Sequence, residues 1–166
     1  YLSKIRVADE DLEKLQLNII RSHACAVGEN LPPEMVRSLL ILRAHGFALG
    51  ASAVSSECVQ SVLDLLKHDI LPVIPSQGSV GASGDLAPLA HLALGMLGEG
   101  MVFYDGKVCE AKEALKKAGL SPYQPKAKEG LSLINGTQFM TVMASYAIEQ
   151  ARKVARVANI AAAMSL

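Results

Sequence analysis

Residues 71–84, with the sequence LPVIPSQGSVGASG, form the stretch that decides the fold of this chain. Pro72 and Pro75 exclude a regular helix here, and glycines then recur at every third position, at Gly78, Gly81 and Gly84. The next segment, DLAPLAHLALGML at 85–97, is strongly apolar and predicts a helix that starts directly after the loop. A glycine-rich loop that a mainly apolar chain retains beside a helix is a candidate functional site.

Helical segments flank this loop on both sides. Apolar residues at helical spacing indicate helices over 9–27, 33–49, 55–68 and 110–118, and from about 137 to the end. A polar stretch containing Pro122 and Pro125 predicts a connecting segment that leads to Gly130. Residues 101–109, MVFYDGKVC, predict a short β-hairpin that turns at Asp105-Gly106. The predicted fold class is mainly α, with the glycine-rich loop and one small β-hairpin.

Composition narrows the possible classes of protein. The chain has 166 residues, of which 51% are hydrophobic and 19% charged. That much apolar material can offset the entropy of ordering, so the chain is neither disordered nor low in complexity. The 16 basic residues are balanced by 16 acidic ones. Without a basic excess, nucleic-acid binding is not expected.

Cysteine and histidine spacing bears on metals and on the cellular compartment. The three cysteines contain no CxxC pair, and the four histidines lack the i,i+4 partners that helical metal ligands need, so no metal site is predicted. His91 is interpreted as a core histidine. Sparing cysteine use suits a reducing cytosol. The sequence suggests neither a signal peptide nor a membrane-spanning segment, so we expect a soluble, cytoplasmic protein with no membrane partner.

The glycine-rich loop does not match two common catalytic loops. A phosphate-binding loop ends in Gly-Lys-Ser/Thr, whereas here Gly84 precedes Asp85, whose charge would repel a phosphate. A nucleophile elbow needs Gly-x-Ser-x-Gly, and neither Ser79 nor Ser83 has that surrounding sequence. A tight structural turn remains the simplest interpretation.

The triad Ala82-Ser83-Gly84 permits a third chemistry. Because Gly84 has no side chain, its backbone nitrogen can approach the carbonyl of Ala82. Attack there with loss of water would close a five-membered imidazolone, and loss of a second water from Ser83 would leave an exocyclic methylene. The predicted helix start at Asp85 would place a positive helix end near this ring, which favours addition of a nucleophile.

Two blocks of sequence resemble one enzyme family. GSVGASGDLAPLA at 78–90 resembles the signature of the aromatic amino acid ammonia-lyases, which form the electrophile methylidene-imidazolone from Ala-Ser-Gly. EGLSLINGTQ at 129–138 resembles a second family block whose Asn lies beside the electrophile, and residues 2–6 resemble the segment after the family's Tyr-containing loop. The resemblance implies that Ala82, Ser83, Gly84 and Asn135 are catalytic and that Gly81 and Asp85 support the loop. Alternatively, Asn135 is a helix N-cap.

The dipeptide Ser22-His23 bears on the substrate. Histidine-specific members of the family typically have Ser-His here, tyrosine-selective members His-Leu and phenylalanine-selective members Phe-Leu. Ser22-His23 therefore resembles the histidine type, and His23 would bind the substrate. The alternative is a buried helix histidine bonded to a backbone carbonyl. The sequence departs from the family near His45, where Asn is usual, and near Ala51-Ser52, where Ser-Gly is usual.

The resemblance implies a complete set of expectations for function. It implies nonoxidative deamination of L-histidine to trans-urocanate and ammonium, with no metal or diffusible cofactor, in a homotetramer. It also implies that residues 1–166 are a partial N-terminal catalytic domain truncated at both ends, since the family's usual base is a Tyr in the loop preceding Tyr1. The alternatives are a phenylalanine or tyrosine ammonia-lyase, an aminomutase, or a non-catalytic helical assembly fragment.

Overall fold

The computed structural model describes residues 8, 11–79 and 83–165. Seven helices and five short strands follow one another along this part of the chain. The helices are α1 (Leu12–His23), α2 (Pro33–Ala48), α3 (Ser56–Lys67), α4 (Leu86–Met96), α5 (Ala111–Lys117), α6 (Glu129–Ile134) and α7 (Gln138–Ser165). The strands are β1 (Val27–Asn30), β2 (Leu71–Pro72), β3 (Pro75–Gln77), β4 (Met101–Tyr104) and β5 (Lys107–Glu110). The mainly helical fold class is confirmed.

Helix α4 is the centre of the core. Eight of its eleven residues are buried, and it packs against α1, α3, α6 and β2. The largest fully buried side chains of the same core include Ile20, Leu39, Leu40, Leu65, Ile70, Ile74, Leu133 and Ile134. A helix that is apolar on nearly all sides belongs in a protein interior, so the loop before α4 leads directly into a buried helix.

Most of the helices begin close to the residues at which the sequence predicts them to begin. Pro33 occupies the first position of α2, where an N–H would lack a partner. The Ser55 hydroxyl caps α3 by accepting a hydrogen bond from the N–H of Cys58 at 3.3 Å. The predicted hairpin is confirmed as β4 and β5, in which Asp105 and Gly106 both have positive φ.

The prediction of one helix over 9–27 is wrong at its C-terminal end. Helix α1 ends at His23, and Val27–Asn30 form β1, which pairs antiparallel with β3. The predicted loop over 71–84 likewise contains two strands, β2 and β3, and β2 adds a third strand to the hairpin through β4. Each of these strands is fixed by a partner far away in the sequence, which local patterns do not reveal.

Helix α6 was not predicted, because it is held by contacts with residues distant in the sequence. Its first residue, Glu129, is only 2% exposed. The carboxylate accepts hydrogen bonds from the N–H of Ser55 at 2.7 Å and of Lys126 at 2.6 Å, and from the Tyr123 hydroxyl. At Gly130 a Cβ atom would lie 2.7 Å from the carbonyl oxygen of Gln16, so the glycine allows α6 to approach α1 closely.

Among the described residues, no helix combines the length and the apolar character that crossing a bilayer requires. Within the same ranges, no three His, Cys, Asp or Glu side chains gather closely enough to hold a metal ion.

Candidate active site

The glycine-rich loop enters from β3 through a tightly fitted glycine. Gly78 has φ +145°, and a Cβ atom there would lie 2.8 Å from the Cα of Ala26. No side chain fits at that distance, so residue 78 has to be glycine if the loop is to pass this close to the segment before β1. The antiparallel pairing of Val27 with Gln77 places Ala26 opposite Gly78. The end of α1 and the start of the loop therefore lie at the same end of the β1–β3 ribbon.

The described part of the predicted triad lies between the loop and α4. Gly84 has φ +76°, and its carbonyl accepts a hydrogen bond from the Ser79 hydroxyl. Ser83 is half-buried, and its hydroxyl accepts a hydrogen bond from the N–H of Asp85 at 3.4 Å. Gly81 and Ala82, the other two predicted residues of this loop, lie outside the described residues. Helix α4 begins at Leu86, two residues after Gly84, so its positive end lies next to the triad.

Asp85 ties the loop to the start of α7. Its side chain is fully buried, and Oδ2 accepts a hydrogen bond from the N–H of Met140 at 3.2 Å. Among the described residues Oδ1 has no partner. Burial raises the pKa of this carboxyl, while the N–H groups of Met140 and Phe139 and the charge of Arg43 act in the opposite direction.

Asn135 ends α6 and does not cap α7. Its N–H donates to the carbonyl of Leu131 at 3.0 Å, and α7 begins three residues later at Gln138. The side chain is exposed and lines a cleft of about 210 Å³ together with Ser52, Leu131 and Ser132. The described lining of this cleft includes no residue of the glycine-rich loop. The N-cap alternative for Asn135 is therefore wrong, because α7 begins too late in the sequence.

His23 is the last residue of α1 and is half-buried. Its Nδ1 lies 2.8 Å from the carbonyl oxygen of Ile19 and 3.1 Å from the hydroxyl of Ser22. Because a carbonyl can only accept, the Nδ1 atom carries the proton in that contact, and Nε2 is an acceptor whenever the ring holds one proton. The predicted alternative, a helix histidine bonded to a backbone carbonyl, is thus present at one nitrogen, while the other makes no hydrogen bond to any described residue.

Two further residues hold these parts together, and the sequence did not single out either for this purpose. His91, on α4, accepts a hydrogen bond from the N–H of Ala26 at 3.2 Å through Nε2, and burial lowers the pKa of its imidazole. It is hydrogen-bonded, as predicted, but it is half-buried and not part of the core; the same bond fixes the segment after His23. Arg43, on α2, is only 3% exposed and bonds to the turn that carries Asn135. Its only local signal is a single charge within the apolar run 39–47.

The whole chain, residues 1–166, matches the family model described as aromatic amino acid lyase. The chain belongs to the aromatic amino acid lyase family.

Known members of the aromatic amino acid lyase family resemble the chain in both sequence and structure. It is 50% identical to histidine ammonia-lyase of Sorangium cellulosum over 99% of its own length and 32% of that protein. The solved structure of histidine ammonia-lyase from Trypanosoma cruzi superposes with a TM-score of 0.82 at 45% identity, covering 92% of this chain and 30% of that one. Tyrosine aminomutase from Streptomyces globisporus superposes with a TM-score of 0.76 at 37% identity, covering 83% and 26%.

The chain therefore spans about a third of the length of the curated relatives it matches. Membership in the aromatic amino acid lyase family accounts for the helical core. The departures noted near His45 and Ala51-Ser52 lie at and after the end of α2, where Ala53 has an unusual φ of +50°.

Proposed function

We propose that the protein is an ammonia-lyase that removes ammonia nonoxidatively from L-histidine, giving trans-urocanate and ammonium. The observation that carries this proposal is Ser83-Gly84, held directly before α4 in a chain that is 50% identical to a histidine ammonia-lyase. Residues 1–166 would form the N-terminal part of its catalytic domain.

The described residues at this position, Ser83 and Gly84, fit a methylidene-imidazolone made from Ala82, Ser83 and Gly84. Gly84 has no side chain and adopts a left-handed conformation, which suits a compressed turn. Ser83 keeps a hydroxyl that could be lost as water, and the positive end of α4 lies beside it. The group, once formed, supplies an electrophilic methylene for the amine of the substrate. Gly81 and Asp85 would support the loop.

The roles of His23 and Asn135 follow from the hydrogen-bonding groups they leave available. Since Nδ1 of His23 is engaged by Ile19, Nε2 would accept a hydrogen bond from the N–H of a substrate imidazole. A phenyl ring has no such donor and would leave that acceptor unpaired, so the pocket would discriminate against phenylalanine. The Asn135 side chain makes no hydrogen bond within the described residues and would bond the imidazolone or the polar end of the substrate.

Assembly and location are part of the same proposal. From Ala147 to Ser165 every residue of α7 is exposed, and Val157, Ile160 and Met164 are among them. A long helix with exposed apolar residues is suited to burial against other subunits, which supports a homotetramer. Three cysteines that are all free favour a reducing compartment, and we propose the cytoplasm.

Two measurements test the proposed function on the protein expressed from its complete open reading frame. With L-histidine as substrate, the absorbance of urocanate should rise with time, and Ser83→Ala should reduce the rate to background because the electrophile cannot form. The intact mass of the wild-type protein should be two waters below the mass of its sequence. The intact mass of Ser83→Ala should equal the mass of its sequence. Ser56→Ala, at the exposed start of α3, is the matched control and should retain both properties. Absence of urocanate would contradict the proposed substrate.

A second candidate keeps the electrophile but changes the substrate or the product. The likeness to a tyrosine aminomutase, with a TM-score of 0.76, favours testing it. Incubation with L-phenylalanine or L-tyrosine would give an arylacrylate if the protein is a lyase for that substrate and a β-amino acid if it is an aminomutase. Unchanged turnover of the preferred substrate in Ser83→Ala would instead favour a non-catalytic role for the loop.

A further inference from the structure

Arg43 is a buried cation whose position calls for a physical reason. It lies in the second half of α2, is 3% exposed, and its Cζ is 4.3 Å from the centre of the Phe47 ring. Burial lowers the pKa of its guanidinium to about 10, so it remains charged at neutral pH. Among the described residues no carboxylate forms an ion pair with it. A buried charge without an ion pair is retained only where hydrogen bonds compensate its lost hydration.

The hydrogen bonds of Arg43 all converge on the turn between α6 and α7. Its guanidinium donates to three backbone carbonyls and one side-chain amide: Ser132 O, Leu133 O at 3.0 Å, Asn135 O at 3.1 Å and Gln138 Oε1 at 2.8 Å. The carbonyls belong to the end of a helix, where no intrahelical donor is available. One side chain from α2 therefore binds both the end of α6 and the start of α7.

Gly136 shows that the turn is built around this side chain. A Cβ atom at that position would lie 2.1 Å from Oε1 of Gln138 and 2.6 Å from Nη1 of Arg43, the two atoms that hydrogen-bond to each other. The guanidinium is held by its other contacts and could not move away without losing them. Glycine at position 136 therefore allows the hydrogen-bonded pair of Arg43 and Gln138 to lie against the backbone of the turn.

We propose that Arg43 is a positioning residue for Asn135, an inference that rests on the proposed function. The side chain of Asn135 makes no hydrogen bond of its own within the described residues, so its location depends on the backbone that Arg43 holds. The first turn of α7, which Arg43 contacts through Gln138, also binds the end of the glycine-rich loop, because the N–H of Met140 donates to Asp85. Arg43 thereby fixes the position of Asn135 relative to that loop.

The kinetic test compares Arg43→Lys with Arg37→Lys in the protein from the complete open reading frame. Lysine keeps the charge but has one nitrogen, so it cannot bind both sides of the turn. With L-histidine we expect Arg43→Lys to lower kcat at least tenfold and to change KM less than twofold. Arg37 lies on the same helix, is exposed and pairs with Asp69, so Arg37→Lys should leave both constants unchanged.

A double-mutant cycle separates positioning from general support of the fold. If Arg43 acts through Asn135, then Arg43→Lys should not lower kcat further in an Asn135→Ala background. Effects that multiply in the double variant would overturn the inference, as would a loss of activity no larger than the loss of folded protein measured by circular dichroism.

Amide hydrogen exchange gives a readout that does not depend on activity. Arg43→Lys should accelerate exchange over residues 132–141 and leave α3 unchanged, whereas unaltered exchange in the turn would overturn the inference. If the wild-type protein produces no urocanate, the proposed substrate is overturned. The exchange result would still decide whether Arg43 holds the turn.

Discussion

Gly78 is the residue at which the path of the glycine-rich loop is set. Its positive φ and its contact with the backbone of Ala26 leave no space for a side chain. Gly119 also has a positive φ, of +72°, but nothing lies within 4 Å of the position its Cβ would take. A side chain at position 119 would therefore be opposed only by the backbone conformation, whereas a side chain at position 78 would be opposed by both the conformation and crowding.

Alanine substitution at these two glycines should have different consequences. Gly119→Ala should lower the free energy of unfolding by about 1 kcal/mol, the strain of a left-handed alanine. Gly78→Ala should lower it by at least about 2 kcal/mol, since overpacking against a backbone is added to the strain. It should also reduce the fraction of protein that has lost two waters, because the loop is displaced. Urea denaturation and intact mass check both effects, and equal losses of stability would contradict the role assigned to Gly78.

Ala53 carries the opposite kind of strain, because a residue with a side chain stands where glycine would be relaxed. Its φ is +50°, and it is exposed. A left-handed conformation costs an L-residue with a Cβ roughly 1–2 kcal/mol.

We therefore expect Ala53→Gly to raise the free energy of unfolding by about 0.5–1 kcal/mol, after allowance for the greater flexibility of glycine in the unfolded chain. Ala51 is also exposed but has no positive φ, so Ala51→Gly should give no gain. Thermal unfolding of the two variants measures the difference, and a loss of stability in Ala53→Gly would refute the assignment of strain.

At the scale of secondary-structure elements, the link between α4 and the β1–β3 ribbon is sensitive to pH. His91 accepts a hydrogen bond from the N–H of Ala26, and only an unprotonated Nε2 can do so. Burial lowers the pKa of His91 in the folded state below its value in the unfolded chain. A depressed pKa contributes stability that is present above the unfolded pKa of about 6.5 and is lost as the pH falls towards the folded value.

His91→Gln should make stability less dependent on pH between 7 and 5. Glutamine can accept the same hydrogen bond through its amide oxygen and does not titrate. His45 is exposed on α2, so the stability of His45→Gln should depend on pH as that of the wild-type protein does. Denaturant unfolding at a series of pH values measures these slopes, and an unchanged slope for His91→Gln would show that another group causes the loss.

At the scale of the whole molecule, α7 extends beyond the core. Its 28 residues span about 42 Å, and only Phe139 and Val142 are buried. Farther along, Val157, Ile160 and Met164 are 66%, 61% and 83% exposed and recur at helical spacing on one stripe. An exposed apolar stripe of this kind is expected to be covered in an assembly.

Charge placed on this stripe should weaken the proposed tetramer without unfolding the subunit. We expect Val157→Glu together with Ile160→Glu to lower the molar mass in solution from four copies to fewer, because a buried carboxylate needs a partner. Gln150→Glu, an exposed substitution on the same helix, is the control. Light scattering after size-exclusion chromatography measures the mass, and a tetramer that persists in the double variant would place the interface elsewhere.

Much of the fold follows from local sequence. The spacing of apolar residues predicts α2, α3, α4, α5 and α7, because one amphipathic or apolar segment is enough to specify a helix. The hairpin follows from Asp105-Gly106, since its two-residue turn requires positive φ at both positions. By contrast, β1, β3 and α6 depend on partners distant in the sequence, such as Gln77 for Val27 and Ser55 for Glu129.

The candidate site divides in the same way. Ala82-Ser83-Gly84 is identifiable from sequence as a candidate, because the chemistry proposed for it needs three adjacent residues and a following helix. The sequence does not predict that Arg43 reaches the turn carrying Asn135, or that His91 fixes the segment after His23. These contacts join residues 65 to 92 positions apart. Sequence by itself determined the candidate triad and most of the helices. Tertiary structure alone decided which buried polar groups meet, since only folding supplies the partners that offset their lost hydration.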